Sequence, residues 1–180
     1  MRVRVRHLQP ADVPACLDLF AAVCAEGRWL ATEGPLDVAA LRTIRSRWEA
    51  LQSTGDGALL LAERAEGGPP AGLLALVGRA RPTLGMLVAP TCRRAGVGDA
   101  LVVAALDWAR AAGAPEVVLH VFLHNDGAIA LYRRHGFEPG TTLLRAYPRR
   151  SGERWDALRM VKPLPVSSPL LATLSRPEGL

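Results

Sequence analysis

Two glycines separated by one residue, Gly96 and Gly98, lie between the apolar run LGMLVAP and a stretch with the spacing of a helix. Glycine lets the backbone approach a ligand closely because it has no Cβ atom. The first turn of a helix also offers N–H groups without helical partners and the positive end of the helix dipole. Arg93 and Arg94 add positive charge just before the glycines. This combination predicts an anion site, and phosphate is the usual occupant.

Two well-known phosphate motifs do not fit this turn. A P-loop ends in Gly-Lys-Ser/Thr, whereas Gly98 is followed by Asp99 and Ala100. A dinucleotide fingerprint needs a third glycine where this chain has Leu101, and it belongs in a βαβ unit near the start of a chain. A strand-to-helix turn whose glycines serve only backbone geometry remains the structural alternative.

A second set of chemically active side chains follows further along the chain. His120 falls within EVVLHVFL (116–123), a run rich in β-branched residues that predicts a strand. Asn125 is placed to cap the helix predicted next, and Tyr132 lies seven residues later, about two helical turns. Histidine can act as a general base and a tyrosine hydroxyl as a proton donor. Both residue types also serve as plain packing residues in strands and helices.

The elements that would position these residues follow the order β-α-α-β-β-β-α-β-α-β-β. Apolar patterns predict strands at 2–8, 58–64, 71–79, 83–88 and 116–123, and two more around the turn PRRSGE within 141–164. Helical spacing predicts helices at 12–25, 36–52, 97–112 and 126–135. Trp48 lies on the apolar stripe of the second helix, which predicts that it is buried. This order is typical of an α/β protein with a mixed central sheet and helices on its faces.

The composition is that of one globular domain of 180 residues, with 49% hydrophobic and 22% charged residues. The net charge of +5, carried mostly by arginine, fits an anionic ligand, and nucleic acid is the rival interpretation. Aromatic residues are only 5% and do not alternate with basic ones, which argues against RNA binding. Three cysteines without a CxxC spacing make a disulfide framework and a zinc site unexpected. With no long apolar run and no signal-peptide pattern, we expect a cytoplasmic protein.

Two motifs of the sequence resemble the GNAT superfamily of N-acetyltransferases. Arg93, Gly96 and Gly98 match the family's Arg/Gln-x-x-Gly-x-Gly/Ala signature after a strand. The stretch LHVFLHNDGAIALYRRHGFE resembles the second signature through Asn125, Ala128, Leu131, Tyr132, Gly136 and Phe137. The likeness in element order runs from about residue 3 to residue 162. We therefore expect a GNAT domain at 1–162 and a proline-rich tail at 163–180.

The resemblance implies a fold and a cofactor. In the family a wedge opens between two parallel strands, here 83–88 and 116–122, and acetyl-CoA binds in it with its pyrophosphate on the glycine turn. The implied cofactor-binding residues are Met86, Leu87, Val88, Arg93, Arg94, Ala95, Gly96, Val97, Gly98, Asn125 and Ala128. Asp99 departs from the family, whose members often carry Ser, Lys, Arg or Thr there. We expect its carboxylate to point away, since it would otherwise repel phosphate.

The resemblance also implies the chemistry, which is direct attack of an amine on the thioester. This transfer needs a proton acceptor for the amine and a proton donor for the departing sulfur. The family places the donor at the position of Tyr132. Ribosomal-protein alanine N-acetyltransferases carry a catalytic glutamate at the position of His120. We predict that His120 is the base, with Glu33 or a water path as the alternatives.

The acceptor implied by the resemblance is a primary amine of a small molecule or of a peptide N-terminus. The stretch RAYPRRSGERWDALRM resembles the last hairpin of the ribosomal-protein alanine N-acetyltransferases, which makes a peptide one candidate. The predicted substrate-binding residues are Trp29, Glu33 and Tyr147. We expect no metal, no nucleic acid and no membrane partner, and a monomer or a homodimer. A GNAT-fold module that binds CoA without transferring acetyl is the alternative.

Overall fold

Seven strands and four helices make up residues 2–165, the part of the chain that the computed structural model describes. The strands are β1 (Val3–His7), β2 (Gly57–Arg64), β3 (Gly72–Val77), β4 (Thr83–Val88), β5 (Glu116–Phe122), β6 (Glu138–Pro148) and β7 (Arg154–Pro163). The helices are α1 (Val13–Ala25), α2 (Val38–Thr54), α3 (Val97–Ala111) and α4 (Asp126–Arg134). The predicted order of elements is confirmed.

Local signals in the sequence set the ends of the helices. Asp37 Oδ1 accepts a hydrogen bond of 2.7 Å from the N–H of Ala40 at the start of α2. Asn125 Oδ1 accepts one of 3.2 Å from the N–H of Ala128 at the start of α4, as its position predicts. Each bond satisfies an N–H group that has no partner within its own helix. Gly55 ends α2 in the left-handed region (φ 65°), which a residue without a Cβ atom adopts readily.

The central strands of the sheet are buried on both faces, whereas β6 is largely exposed. Successive residues of a strand point to opposite sides, and β2 is apolar at nearly every position. Leu60 belongs to a core shared with α3 and α4, whereas Leu59 and Leu61 belong to a second core shared with α1 and α2. Trp48 is 8% exposed within the second core, so its predicted burial is confirmed.

The strand order β1-β2-β3-β4-β5-β7-β6 places the parallel pair β4 and β5 at the centre of the sheet. These two strands pair only at Thr83 with Val118 and at Leu84 with Leu119. Beyond that point β4 stays bonded to β3 as far as Val88, and β5 stays bonded to β7 as far as Phe122. The two strands therefore separate, which confirms the predicted mixed sheet with a wedge between two parallel strands.

Strand β3 ends two residues before the predicted end at 79, because Gly78 turns the chain with φ 85°. At the other end of the described chain, Leu164 is 5% exposed and its N–H donates to Pro115 O at 2.8 Å. Most of the predicted proline-rich tail, residues 166–180, lies outside the described residues. Within residues 2–165, none of the helices is long and apolar enough to cross a bilayer.

Candidate active site

A cavity of about 810 Å³ occupies the wedge between β4 and β5. Its walls are β4, the end of β5, the starts of α3 and α4, and the loop between α1 and α2. The predicted site residues that line it are Trp29, Met86, Leu87, Val88, Arg93, Arg94, Gly96, Gly98, His120, Asn125, Ala128, Tyr132 and Tyr147. Residues from both sequence motifs therefore meet in one space.

The glycine turn before α3 forms one end of this cavity. Gly96 has φ 83° and Arg94 has φ 59°, so the turn contains two left-handed residues. A Cβ atom built on Gly96 meets no other atom within 4 Å, which shows that its Cα faces open space. The N–H of Ala100 donates to Gly96 O at 3.1 Å, and the amides that precede it in the first turn have no partner within the helix. This end of the cavity is therefore suited to a phosphate group.

Not every predicted residue of the turn offers its side chain to the cavity. Val97 is 1% exposed and packs in the core, and neither Val97 nor Ala95 lines the cavity. A Cβ atom on Gly98 would lie 2.9 Å from Leu131 Cδ2, so this glycine also permits the close approach of α3 to α4. Ala95 and Val97 can contribute only through their backbone.

The two arginines of the turn differ in their contacts. The guanidinium of Arg93 donates to both carboxylate oxygens of Glu26, one of them at 2.9 Å, and lies 5.7 Å from the ring centroid of Trp29. Its charge is therefore balanced within the protein. A Cβ atom on Gly127 would lie 3.7 Å from Arg94 Nη1, so Arg94 extends from the start of α3 to the start of α4. Arg94 is the arginine placed to meet an anion here.

Asp99, which departs from the family motif, is paired with α4. Its Oδ1 lies 3.0 Å from Arg134 Nη2 and 3.0 Å from His135 Nε2. Partial burial alone would raise the pKa of Asp99, but the hydrogen bonds from Arg134 and His135 outweigh this effect and lower the pKa. The carboxylate is thus charged at neutral pH, with its charge balanced by Arg134 at the end of α4.

This pairing predicts that Asp99→Asn has little effect on CoA affinity. The Asp99 side chain is 46% exposed, and an interaction between exposed charges has a free energy of about 0–1 kcal/mol. Removing the charge of Asp99 should therefore change the Kd for CoA by less than about fivefold. Isothermal titration with CoA measures the change, and Asp107→Asn, which removes an exposed pair with Arg110 on α3, is the matched control. Binding that becomes tighter by much more than fivefold would show that Asp99 repels the phosphates.

His120 lies at the opposite end of the cavity and is exposed. Its Nδ1 is 2.9 Å from the hydroxyl oxygen of Tyr147, a contact between β5 and β6. Partial burial, together with the positive charge of Arg159 on the neighbouring strand β7, lowers the pKa of His120 below 6.5. The imidazole is therefore largely neutral at pH 7, as a general base must be.

Tyr132 lines the same cavity from α4 and is 6% exposed. Burial raises the pKa of its hydroxyl well above the ordinary value of 10, so the group keeps its proton at every physiological pH. Its ring packs against Phe137 with centroids 5.6 Å apart. Within residues 2–165 no hydrogen bond joins it to His120, whose partner is Tyr147 instead.

An aromatic group beside His120 was not predicted from the sequence. His124, just after β5, lines the cavity and stacks on Phe122 with ring centroids 5.5 Å apart. Trp155 of β7 lies edge-on to both rings, at 5.2 Å and 4.7 Å. The alternation of β5 places His120 and Phe122 on one side, which was the only signal for this group in the sequence.

Glu33, the alternative base and a predicted substrate-binding residue, does not line the cavity. Its carboxylate forms an ion pair of 3.0 Å with Arg149 and accepts a hydrogen bond of 2.7 Å from the backbone N–H of Arg150. Both carboxylate oxygens therefore already have donors within the protein. In the structure Glu33 links the α1–α2 loop to the β6–β7 turn.

Comparisons with known proteins agree with this geometry. The model of the acetyltransferase (GNAT) family matches residues 25–137. The structure of a ribosomal-protein-alanine N-acetyltransferase from Brucella melitensis is similar, with 26% identity and a TM-score of 0.79, over 89% of this chain and 99% of that one. A GCN5-related N-acetyltransferase from Kribbella flavida has 25% identity and a TM-score of 0.77, over 90% and 98% of the two chains.

A phosphinothricin acetyltransferase from Sinorhizobium meliloti, solved with acetyl-CoA, shares the fold at a TM-score of 0.80. Its identity is 19%, over 91% of this chain and 89% of that one, so this likeness concerns the fold alone. A search of curated proteins finds no match to the sequence.

Proposed function

Because the chain belongs to the GNAT family of acetyltransferases, we propose that it transfers the acetyl group of acetyl-CoA to a primary amine. The family model covers more than half of the 180 residues. The observation that carries the proposal is the single cavity that joins the glycine turn at one end to His120 and Tyr147 at the other. An elongated donor can span such a cavity and meet an amine at its far end.

The residues of the wedge fit acetyl-CoA, which supplies an acetyl group activated as a thioester. Among the described strands, β4 pairs with β5 only at Thr83 and Leu84, so the backbone of 85–88 presents an open edge to the cavity. An open strand edge can bind the amide groups of an extended ligand, here through Met86, Leu87 and Val88. The amides of 94–98 and the guanidinium of Arg94 would hold the pyrophosphate.

His120 would take the proton from the acceptor amine. A neutral imidazole carries one N–H group and one free nitrogen, and only the free nitrogen can accept a proton. When Nδ1–H donates to the Tyr147 oxygen, Nε2 is the free nitrogen. The same hydrogen bond persists in the imidazolium, so Tyr147 can hold the ring in one orientation throughout proton transfer. Tyr132, which stays protonated, would donate to the departing sulfur.

The charges of the cavity favour an acceptor with a single amino group. The two carboxylates that line it, Asp99 and Asp126, both lie at the starts of helices, at the phosphate end. The acceptor end is lined by aromatic rings, with the cations of Arg28 and Arg159 nearby. A polyamine would find no carboxylate there among the described residues, whereas a small amino compound or a peptide N-terminus needs none.

Thiol release from acetyl-CoA tests this function directly. The panel holds a peptide with N-terminal alanine, small amino acids, an arylalkyl monoamine and spermidine. We expect turnover with a monoamine or a peptide and little with spermidine. CoA binding without turnover on any amine would support a non-catalytic module, and spermidine as the best substrate would refute the charge argument.

We place this activity in residues 1–162, in the cytoplasm, where acetyl-CoA is available. The three cysteines are unpaired and buried, which suits a reducing compartment. We propose no nucleic acid or membrane partner, and either a monomer or a homodimer.

Truncation after Pro165 is expected to leave acetyl transfer largely intact. The lining of the cavity, strand β7 and the bond from Leu164 to Pro115 all precede this point. Turnover with the best amine and the melting temperature of the truncated chain check this prediction. A large loss of either would show that residues 166–180 contribute to the site or to folding.

A further inference from the structure

We propose that Arg149 is a positioning residue that fixes the loop between α1 and α2 as one wall of the acceptor site, a role that rests on the proposed amine transfer. Arg149 lies in the turn between β6 and β7, and its side chain is only 1% exposed. Arginine is rarely so buried, because its N–H groups then need partners inside the protein. Both Nη atoms have such partners, whereas Nε has none among the described residues. The hydrogen-bond partners of its guanidinium show which segment of the chain it fixes.

All recorded hydrogen-bond partners of the Arg149 guanidinium lie in the α1–α2 loop. Its Nη1 donates to Leu30 O at 3.0 Å and to Ala31 O at 3.3 Å, and its Nη2 donates to Gly27 O at 3.0 Å. Its charge is balanced by Glu33 at 3.0 Å. One planar cation thus binds four groups of a loop that has neither helix nor strand of its own.

The same guanidinium also lies against the rings beside His120. The Arg149 Cζ atom lies 4.1 Å from the ring centroid of Trp155 and 5.4 Å from that of Phe122. These contacts are in the range of cation–π attraction. Tyr147, the partner of His120, also packs edge-on against Phe122 at 5.3 Å. Arg149 therefore connects the loop to the group that holds the proposed base.

The loop residues bound by Arg149 are themselves part of the cavity wall. Trp29, Leu30 and Ala31 line the cavity. The backbone of Arg149 is fixed in turn, since its N–H donates to Glu153 O at 2.9 Å and its carbonyl accepts from Gly152 N–H at 2.9 Å. This side chain therefore helps to set the distance between the two walls of the acceptor end. Arg150, which donates to Gly34 O and Pro35 O, and His124, whose Nε2 lies 3.0 Å from Arg28 O, hold the same loop.

The test compares the steady-state kinetics of Arg149→Met and Arg149→Lys with those of the wild type. Lysine keeps the charge but cannot reproduce the planar fork that reaches three carbonyls, so both variants should behave alike. We expect the KM for the amine to rise about tenfold or more, because a displaced wall misplaces the acceptor. The KM for acetyl-CoA should not change. Hydrogen exchange of residues 26–37 should become faster, while that of β4 and β5 should not.

Two further variants separate positioning from folding. Arg154→Met, at the start of β7, removes an exposed arginine whose Nε donates to Arg145 O, away from the loop, and this variant should behave as wild type. Arg149→Met leaves Glu33 without its cation, which destabilises the fold. The double variant Glu33→Gln/Arg149→Met removes both charges, so it should regain stability and keep the raised KM for the amine.

The proposal is overturned if folded Arg149→Met, or the double variant, keeps the wild-type KM for the amine. It is equally overturned if kcat falls while both KM values stay unchanged, since that pattern reports only a smaller folded fraction. If the wild type transfers acetyl to no amine, the proposed function fails, whereas the exchange of residues 26–37 still tests the contact itself.

Discussion

Gly96→Val is expected to abolish CoA binding while the protein remains folded. The Cα of Gly96 faces open space in the cavity, so a valine side chain would occupy the place proposed for the pyrophosphate. Loss of two hydrogen bonds to a charged group, at about 1.5–3 kcal/mol each, corresponds to a weakening of about 100-fold or more. Isothermal titration with CoA measures the affinity, and circular dichroism with a melting curve confirms the fold.

A matched control is available at the other end of the same helix. Gly113 also has a left-handed backbone (φ 73°), and a Cβ atom there meets no other atom within 4 Å. Gly113→Val therefore carries a comparable backbone penalty, of roughly 1–2 kcal/mol, without entering the cavity. If both variants bind CoA as the wild type does, the pyrophosphate does not lie on this turn. If both lose binding equally, helix destabilisation is the cause.

The fold was predictable where the signal is local. The apolar run of β2 predicts a strand covered on both sides, and it is so covered. Asn125 predicts the start of α4 because its own side chain accepts the hydrogen bond that the helix needs. Gly96 predicts a left-handed turn for the same kind of reason, since only local sterics decide it.

The contacts that balance charges and fix the loop at the candidate site were not predictable, because the residues that form them are far apart in sequence. Asp99 meets Arg134 and His135 only after α3 and α4 have packed together. Arg149 reaches Leu30, a residue 119 positions earlier, across a loop without any periodic pattern. Such pairs depend on tertiary packing, and a single sequence contains no spacing that reveals them. The ion pair between Glu33, the alternative base, and Arg149 was hidden for the same reason.

His120→Ala is expected to lower kcat/KM for the amine by roughly 100-fold, the usual contribution of a general base. It should also change the pH profile. The imidazole must be neutral to accept a proton, so the rate of the wild type rises with pH as the imidazolium loses its proton. Because burial and Arg159 lower the pKa of His120, this inflection should lie below pH 6.5. In His120→Ala the inflection should be absent.

Two tyrosine variants test separately the roles proposed for Tyr132 and for Tyr147, the partner of His120. Tyr132→Phe should lower kcat and leave CoA affinity nearly unchanged, because it removes only the hydroxyl of a buried ring. Tyr147→Phe removes the 2.9 Å partner of His120 Nδ1, so it should lower kcat less than His120→Ala does and retain the inflection. The contrast between these two variants distinguishes a proton donor from a group that orients the base.

His124 provides the control for this interpretation, since it is a second histidine in the cavity wall. Its ring stacks on Phe122, which also packs against Tyr147. His124→Ala should keep the inflection below pH 6.5, whatever its effect on the rate. An inflection that survives in His120→Ala but disappears in His124→Ala would transfer the role of base to His124. An inflection that survives in both variants would contradict a histidine base and return the role to the alternatives, Glu33 or a water path.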